Sequence, residues 1–448
     1  MNDTAARPPS TRSPKKVALA SLMGTAIEWY DFFVYSTAAV LVFNHHFFPG
    51  FDPATGTLLA FSTFTAGFVA RPIGAIVFGH FGDRVGRKSM MVLTILIMGL
   101  ATVLIGLLPT YDTIGVFAPI LLVLLRLTQG FALGGEWGGA ALMATEHAPA
   151  GRRGFFGSWA QAGLTVGLVL AMTVFLPLNA MPEDQFMAWG WRVPFLLSAV
   201  LVITGLVIRS RVDESPEFDQ VKDTQAVVRM PIIEVLRTCP KQVLLVAGAA
   251  MSPGILFYLL AVYNFVYADQ GSLSRTFMLT LVIVTSIIGF AVIPIAGALS
   301  DRFGRRRLYL LGLGLIAIIA IPLYWALGND SPTLVIAMYV AATIAVYIPY
   351  SLQPAFFSDA FDPHIRYSGL SLGITLGHLM GSAIAPLIAG ALLNATGTSL
   401  SISAYILAAT VISFLCVLRL GQSAQLLNSQ AANTAVLSRE GQSATLRE

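Results

Sequence analysis

Acidic and basic side chains lie inside two stretches of this chain that are otherwise apolar. Glu28 and Asp31, three positions apart, fall on one face of a helix that turns about 100° per residue. A second apolar stretch holds Arg126 and Glu136, which also share a face. Charges are costly in such surroundings unless they are paired or used. A carboxylate that faces an arginine there can gain or lose a proton according to whether an anion occupies the arginine. The chemistry to expect is the coupling of a proton to an anionic solute.

The depth of these residues along their helices indicates which of them meet. Counting about 1.5 Å per residue from the expected helix ends puts Asp31 and Arg126 at similar depths, so we expect them to pair. We assign proton binding to Asp31, with Glu28 or Glu136 as alternates. Arg126 would hold a substrate carboxylate or the deprotonated acid, unless the pair is only a structural link between two helices. Arg71 is interpreted as a packing or gating residue rather than a ligand. Polar and aromatic residues that could complete a substrate site are Tyr35, Gln129, Gln161, Tyr258, Asn264, Tyr350 and Gln353.

The composition identifies the medium in which these residues work. Of 448 residues, 56% are hydrophobic and only 11% are charged, and the mean hydropathy is +0.75. A soluble globule of this size would need far more polar surface, so the chain is expected to be an all-α integral membrane protein. A bilayer core of about 30 Å requires roughly 20 apolar residues per helix. Runs of that order lie near 17–44, 58–81, 89–108, 117–144, 154–179, 192–210, 241–267, 276–299, 307–328, 333–358, 368–393 and 399–419.

The positive-inside rule gives the orientation of these twelve spans and divides the chain. Basic residues concentrate in the loops of one face: Arg84, Arg87, Lys88, Arg152, Arg153, Arg209, Arg211, Lys222, Arg229, Arg302, Arg305, Arg306, Arg307 and Arg366. Both termini are therefore expected in the cytoplasm, in a multi-pass protein of the plasma (inner) membrane. The expected divisions are a cytoplasmic tail 1–16, a six-helix lobe 17–210, a cytoplasmic linker 211–240, a second six-helix lobe 241–420 and a disordered cytoplasmic tail 421–448.

A ten-residue segment occurs twice and indicates that the chain is a duplicated half. GHFGDRVGRK at 79–88 returns as GALSDRFGRR at 297–306, with Asp83 and Asp301 separated by 218 positions. Each copy follows one apolar run and precedes the next, which predicts a short charged turn between two membrane helices. The twelve spans therefore form two six-helix pseudo-symmetric lobes.

The acid of each copy needs a partner, and a helix N-terminus with its free N–H groups supplies one. With the halves related by an axis along the membrane normal, Asp83 should meet the start of the eleventh helix near Ser368. Asp301 should meet the start of the fifth, near Gly154. Such contacts would join the lobes only when the cytoplasmic side is closed, as a latch. The residues expected to take part in gating are Asp83, Arg84, Arg87, Asp301, Arg302 and Arg305, with two further ion pairs, Glu146 with Arg152 and Asp359 with Arg366.

The duplicated turn and the twelve spans resemble the major facilitator superfamily. More narrowly, GTAIEWYDFFVY at 24–35, FVARPIGA at 68–75, LRLTQGFALGGEWGGA at 125–140 and DESPEF at 213–218 resemble the metabolite:proton symporter family. That resemblance implies import of organic acids or of compatible solutes with protons, and the shikimate-transporter branch looks most similar. Many members carry a polar cluster early in the seventh span, where this chain reads GAAMSPGI at 248–255. This departure favours a more apolar or aromatic substrate than a small tricarboxylate.

The leading interpretation is a proton-coupled importer of a small organic acid, shikimate-like, aromatic or dicarboxylic, that works by alternating access. Alternatives are a betaine or proline importer, a drug:proton antiporter and a substrate sensor of transporter fold. The antiporter would need an internal proline in the fifth span that is missing here, and an enzyme would need a nucleophile or metal cluster that the sequence does not show. The expected partners are the substrate, protons and the lipid bilayer, with no nucleic acid, metal or cofactor, and the chain is expected to be a monomer.

Overall fold

The structure, a computed structural model, describes residues 14–50, 53–178, 181–210, 214–215, 218, 230–264, 273–329 and 331–420. Eleven helices in these ranges are long and apolar enough to cross a membrane, and the helix Pro53–Val85, with 33 residues, is long enough as well. The twelve long helices, numbered α1 to α12 along the chain, are Pro14–Ala38, Pro53–Val85, Arg87–Leu107, Phe117–Glu146, Arg153–Leu178, Val193–Ser210, Pro240–Tyr258, Arg275–Phe303, Arg305–Gly328, Pro332–Ser358, Arg366–Thr396 and Leu400–Leu420. The predicted all-helical, twelve-span fold is confirmed.

Shorter helical pieces continue or connect these spans. They are Ala39–Phe43 and Leu259–Tyr263, both π-helical, Asn44–Phe47, Tyr111–Ile114, Glu183–Ala188, the 3₁₀ turn Gly190–Arg192, and Pro231–Thr238. The two π-helical pieces extend α1 and α7, the first helix of each half, so the two halves also share this local backbone geometry. The predicted tail 421–448 and most of the tail 1–16 and of the linker 211–240 lie outside the described residues.

Two boundaries differ from the sequence-based prediction for reasons of backbone chemistry. The repeated segment is helical through Val85 and through Phe303, so the turn between spans is one residue. That residue is Gly86 in the first copy and Gly304 in the second, with φ of 125° and 93°, a region in which residues with a Cβ are strained. In addition α11 is interrupted after Met380, because Pro386 provides no N–H for the preceding turn.

Helix packing repeats between the halves and positions the site. In the first half α1 packs along α5, α2 along α4, and α3 along α4 and α6. In the second half α7 packs along α11, α8 along α10, and α9 along α10. The lobes meet where α5 lies against α8 and α10, and where α2 and α4 lie against α11. The helices that carry the intramembrane charges, α1 and α4, therefore belong to one lobe and reach this junction.

Candidate functional site

Asp31 is fully buried among hydroxyl groups of its own lobe. Its carboxylate accepts hydrogen bonds from the Ser198 hydroxyl on α6 and from the Thr102 hydroxyl on α3, the latter at 2.9 Å. Thr102 in turn accepts a hydrogen bond from Gln129 Nε2 at 2.7 Å, and Gln129 Oε1 accepts one from Arg126 Nη1 at 3.0 Å. The expected direct pairing of Asp31 with Arg126 is therefore wrong for the described side chains. Thr102, which the sequence analysis missed, and Gln129 stand between them and relay the contact.

Arg126 lies at the other end of this chain of hydrogen bonds, against aromatic rings. Its guanidinium carbon is 4.1 Å from the centre of the Tyr35 ring and 5.5 Å from that of Phe32. The Tyr35 hydroxyl lies 2.5 Å from the Thr63 hydroxyl on α2. Three of the predicted residues, Asp31, Gln129 and Arg126, are thus connected through Thr102 by hydrogen bonds, and we call these four residues the relay. Tyr35 packs against the Arg126 end of the relay.

Glu136 forms a separate ion pair within the same lobe. Its carboxylate lies 2.5 Å from Arg209 Nη2 and accepts a hydrogen bond of 2.5 Å from the Thr94 hydroxyl. Arg209 also donates to the Met91 carbonyl at 3.0 Å. The prediction that Arg209 is a cytoplasmic loop cation is wrong, because α6 extends through it and its side chain is buried. Counting basic residues near helix ends cannot show that a neighbouring helix places a carboxylate beside one of them.

A third group of charges lies where the lobes meet. Arg71 on α2 has its guanidinium carbon 4.1 Å from the centre of the Phe68 ring, and it interacts with the Tyr258 hydroxyl on α7 of the other lobe. Glu28 is within electrostatic range of Arg71 and of the Glu136 pair. The rule that singled out Asp31, that an intramembrane charge is a functional candidate, applies equally to Arg71.

Gln161 on α5 connects the lobes through hydrogen bonds. Its amide nitrogen donates to the Tyr350 carbonyl at 2.8 Å and lies 3.4 Å from Gln353 Oε1 on α10. Its carbonyl accepts from Trp137 Nε1 at 2.8 Å, a partner that the sequence analysis did not consider. Gln161, Tyr350 and Gln353 are therefore brought together at the junction, and their contact with substrate stays a prediction.

Asn264 stands apart from this junction. Its side-chain carbonyl accepts a hydrogen bond of 3.1 Å from the Tyr324 hydroxyl on α9, and it is fully buried within the second lobe. The contact is one between helices of a single lobe.

The predicted contacts of the repeated acids are confirmed by the geometry. Asp83 accepts hydrogen bonds from the backbone N–H groups of Tyr367 and Ser368, at 3.1 and 2.9 Å. Asp301 accepts from Gly154 and Phe155, at 2.8 and 2.9 Å. Each acid therefore meets the first turn of a helix in the opposite lobe, and these contacts hold the lobes together at one face of the molecule. The role of these contacts in gating stays a prediction.

The two additional ion pairs expected at this face have other partners. Glu146 lies 3.2 Å from Arg87 Nε and 3.4 Å from Arg366 Nη1, whereas Arg152 is exposed. Asp359 pairs with Arg305. Both predicted pairings, Glu146 with Arg152 and Asp359 with Arg366, are wrong. Closeness in sequence suggested them, but helix packing brings residues 54 to 220 positions apart into contact, and the contact of Glu146 with Arg366 crosses the lobe junction.

Two other arginines of the repeat point away from this junction. Arg84 is exposed, and its Nη1 lies 3.5 Å from His80 Nε2. Arg302 is also exposed and lies over the Phe303 ring. Their positions suit anchoring at the membrane surface more than closure of the lobes.

Comparisons with known proteins agree with this architecture. Residues 21–385 match the model of the Major Facilitator Superfamily. The chain is 44% identical to the inner membrane metabolite transport protein YhjE of Escherichia coli (strain K12), over 84% of this chain and 87% of the relative. It is 40% identical to the shikimate transporter of the same strain, over 91% and 95%. The proton:xylose symporter XylE bound to 6-bromo-6-deoxy-D-glucose has the same fold, with a TM-score of 0.73 at 16% identity over 91% and 95% of the two chains.

These matches cover most of the chain, and the chain spans most of each relative. Membrane transporters of this kind are not enzymes, and the relatives place the chain among multi-pass proteins of the inner membrane. The chain belongs to the major facilitator superfamily, in its metabolite:proton symporter branch.

Proposed function

We propose that this chain imports a small organic acid together with protons by alternating access, with Asp31 as the proton-binding group. The observation that carries the proposal is the relay from Asp31 through Thr102 and Gln129 to Arg126. A change at the Arg126 end, where the cation faces Tyr35, alters the hydrogen bonds that stabilise the Asp31 carboxylate. Arrival of an anion near Arg126 and protonation of Asp31 are thereby coupled.

The surroundings of the three acids favour Asp31 over its alternates. Glu136 is held in a short ion pair with Arg209 and also accepts from Thr94, so protonating it would leave a buried arginine without its counter-charge. Asp31 is held by neutral hydroxyl groups, which tolerate either protonation state because a hydroxyl can donate or accept. Glu28 has no hydrogen-bond partner for its Oε2 atom among the described side chains, and we assign it a different role below.

Alternating access requires contacts that hold one face closed and can be released. The bonds from Asp83 to α11 and from Asp301 to α5 have this property, because each is a pair of hydrogen bonds between lobes rather than a continuous helix. We place both termini on the cytoplasmic side, and we treat the single chain as the functional unit.

The test is uptake by the purified protein in proteoliposomes with an inside-alkaline pH gradient. Labelled shikimate, benzoates, 2-oxoglutarate, citrate and betaine are compared with and without a protonophore. We expect a protonophore-sensitive overshoot for at least one organic acid. Asp31→Asn should abolish accumulation and retain counterflow exchange, because the substrate is still carried while the proton site is lost.

The matched control is Asp112→Asn, at an exposed acid of the short helix Tyr111–Ile114, which should accumulate substrate like the unmodified protein. Unchanged accumulation by Asp31→Asn would remove Asp31 from the mechanism. Absence of any acid uptake driven by the pH gradient would contradict the proposed function itself.

Import of a compatible solute is the second candidate. The chain is 32% identical to the proline/betaine transporter of Escherichia coli (strain K12), over 90% of this chain and 82% of the relative. The rings of Phe32, Phe68 and Tyr258 at the lobe junction are surfaces on which a quaternary ammonium group can rest. Uptake of betaine without uptake of any acid would favour this candidate.

A further inference from the structure

Arg71 differs from the buried residues Arg87, Arg209 and Arg366 in having no carboxylate at ion-pair distance among the described residues. Arg87 and Arg366 pair with Glu146, Arg209 pairs with Glu136, and Arg126 donates to Gln129. Arg71 has only 8% of its surface exposed. In the part of the chain that the structure describes, no carboxylate forms an ion pair with it, and its Nε atom has no hydrogen-bond partner. A buried guanidinium that interacts with a phenol and has no carboxylate at ion-pair distance can bind an anion that arrives from outside.

Aromatic rings from both lobes surround this guanidinium. Its central carbon lies 4.1 Å from the Phe68 ring centre and 5.7 Å from that of Phe32. The Tyr258 ring, from the other lobe, stands edge-on to both, with centroids 6.2 Å from Phe32 and 6.0 Å from Phe68. Trp29 continues the wall and meets Phe257 at 6.0 Å. A flat or ring-shaped molecule that reaches Arg71 would pack against these rings.

Two further polar atoms at the junction also lack partners among the described residues. They are Glu28 Oε2 and the Tyr350 hydroxyl, both buried. Glu28 is within electrostatic range of Arg71 and of Tyr350. A carboxylate oxygen accepts hydrogen bonds and a phenol donates or accepts them, so the hydroxyl groups of a ligand would satisfy both. A trimethylammonium group has no hydrogen-bonding hydrogen and would satisfy neither.

We propose that Arg71, and not Arg126, anchors the carboxylate of the transported substrate, and that the substrate is a cyclic monocarboxylate whose hydroxyl groups bond to Glu28 and Tyr350. This inference rests on the proposed function and narrows its substrate class. With the first carboxylate at Arg71, a second carboxylate placed at the position of the hydroxyl groups would lie against Glu28 and be repelled. The two arginines have separate roles. Arg71 binds the anion, and Arg126, which is within electrostatic range of Arg71 and lies over the same Phe32 ring, transmits its arrival to the proton relay through Gln129.

The experiment measures counterflow, which requires substrate binding but no proton gradient, with labelled shikimate and labelled 3-hydroxybenzoate. Arg71→Gln should raise the half-saturating concentration on the order of 30-fold or more, because a buried charge pair is lost. Arg71→Lys keeps the charge but lacks the planar guanidinium, so its half-saturating concentration should lie between those of the unmodified protein and of Arg71→Gln. Arg237→Gln, at an exposed arginine of the helix Pro231–Thr238, is the matched control and should leave the value unchanged.

Competition on the unmodified protein tests the same inference without any variant. Unlabelled 3-hydroxybenzamide, which lacks the charge, should compete at least about 30-fold more weakly than 3-hydroxybenzoate. 5-Hydroxyisophthalate, which adds a second carboxylate, should also compete weakly and should improve in Glu28→Gln. In Arg71→Gln the amide and the acid should compete equally.

Three outcomes would overturn the inference while leaving organic-acid symport intact. They are an Arg71→Gln variant with unchanged affinity, equal competition by amide and acid in the unmodified protein, and preferred transport of 2-oxoglutarate or citrate. Absence of proton-driven uptake of every acid would instead overturn the proposed function on which the inference rests.

Discussion

The two sets of contacts that we propose as latches are both built around copies of one repeated segment, yet they differ in burial and in number of partners. The first latch comprises Asp83, Arg87, Glu146 and Arg366, and the second comprises Asp301, Arg305 and Asp359. In the first, the Arg87 and Glu146 side chains are 0% and 1% exposed. In the second, the Arg305 and Asp359 side chains are 21% and 35% exposed. Exposed ion pairs contribute little to stability, whereas breaking a buried one leaves a charge without compensation. The first latch is therefore the stronger of the two.

The segment around the DESPEF motif accounts for much of this asymmetry. Glu214 accepts hydrogen bonds from the backbone N–H groups of Arg87 and Lys88, at 3.1 and 3.2 Å, and so caps α3. Ser215 donates to Glu146, and the Phe218 ring lies 5.3 Å from the Arg87 guanidinium carbon. This segment comes from the connection between the halves, which occurs once in the chain. A duplicated sequence thus gives unequal latches because a single-copy segment covers only one of them.

The largest effect should come from removing the acid that two arginines share. Glu146→Gln leaves Arg87 and Arg366 buried without a counter-charge and should lower the free energy of unfolding by about 3–5 kcal/mol. Asp359→Asn, the corresponding change in the second latch, should cost about 0–1 kcal/mol because its ion pair is part-exposed. Thermal unfolding of the purified variants in detergent measures both. Equal losses of stability would refute the proposed asymmetry.

A smaller effect should follow from neutralising the repeated acids. Asp83→Asn and Asp301→Asn each replace a charged acceptor by a neutral one, which lowers the contribution of a hydrogen bond from about 1.5–3 to about 0.5–1.5 kcal/mol, and should open the cytoplasmic face. The readout is the rate at which a thiol reagent modifies Ser158→Cys, a buried junction position, in a protein without Cys239 and Cys416.

Both acid variants should react faster than the parent, and Asp83→Asn should react fastest because Asp83 is the more deeply buried. A rate unchanged by either substitution would mean that these contacts do not gate the cytoplasmic side.

The smallest effect tests the single-copy segment. Ser215→Ala removes one hydrogen bond from Glu146 while leaving its two arginines in place, and should cost about 1 kcal/mol. Ser210→Ala, whose hydroxyl is exposed and bonds only to the Val207 carbonyl in its own helix, is the matched control. If Ser215→Ala and the control unfold at the same temperature, the segment does not reinforce the first latch.

The sequence by itself determined the features that depend on hydropathy and on repetition. Twelve apolar runs predicted twelve helices, because a bilayer requires stretches of that length. The duplicated segment predicted that Asp83 meets α11 and that Asp301 meets α5, because a symmetric pair of halves leaves one place for each acid. The relay residues Asp31 and Arg126 were recognisable because charges in apolar helices are rare, and Gln129 was recognisable because it shares a helix face with Arg126.

Only the tertiary structure decided which charges meet. Spacing suggested Glu146 with Arg152, but the fold pairs Glu146 with Arg87 and Arg366. The sequence predicts a loop cation at Arg209, because this residue lies at a helix end. The fold instead pairs it with Glu136, 73 positions away. The sequence favours a packing or gating residue at Arg71, because it does not show that no carboxylate of another helix lies at ion-pair distance. Ion pairing depends on distances of about 4 Å between side chains of different helices, and that information arises only when the helices pack.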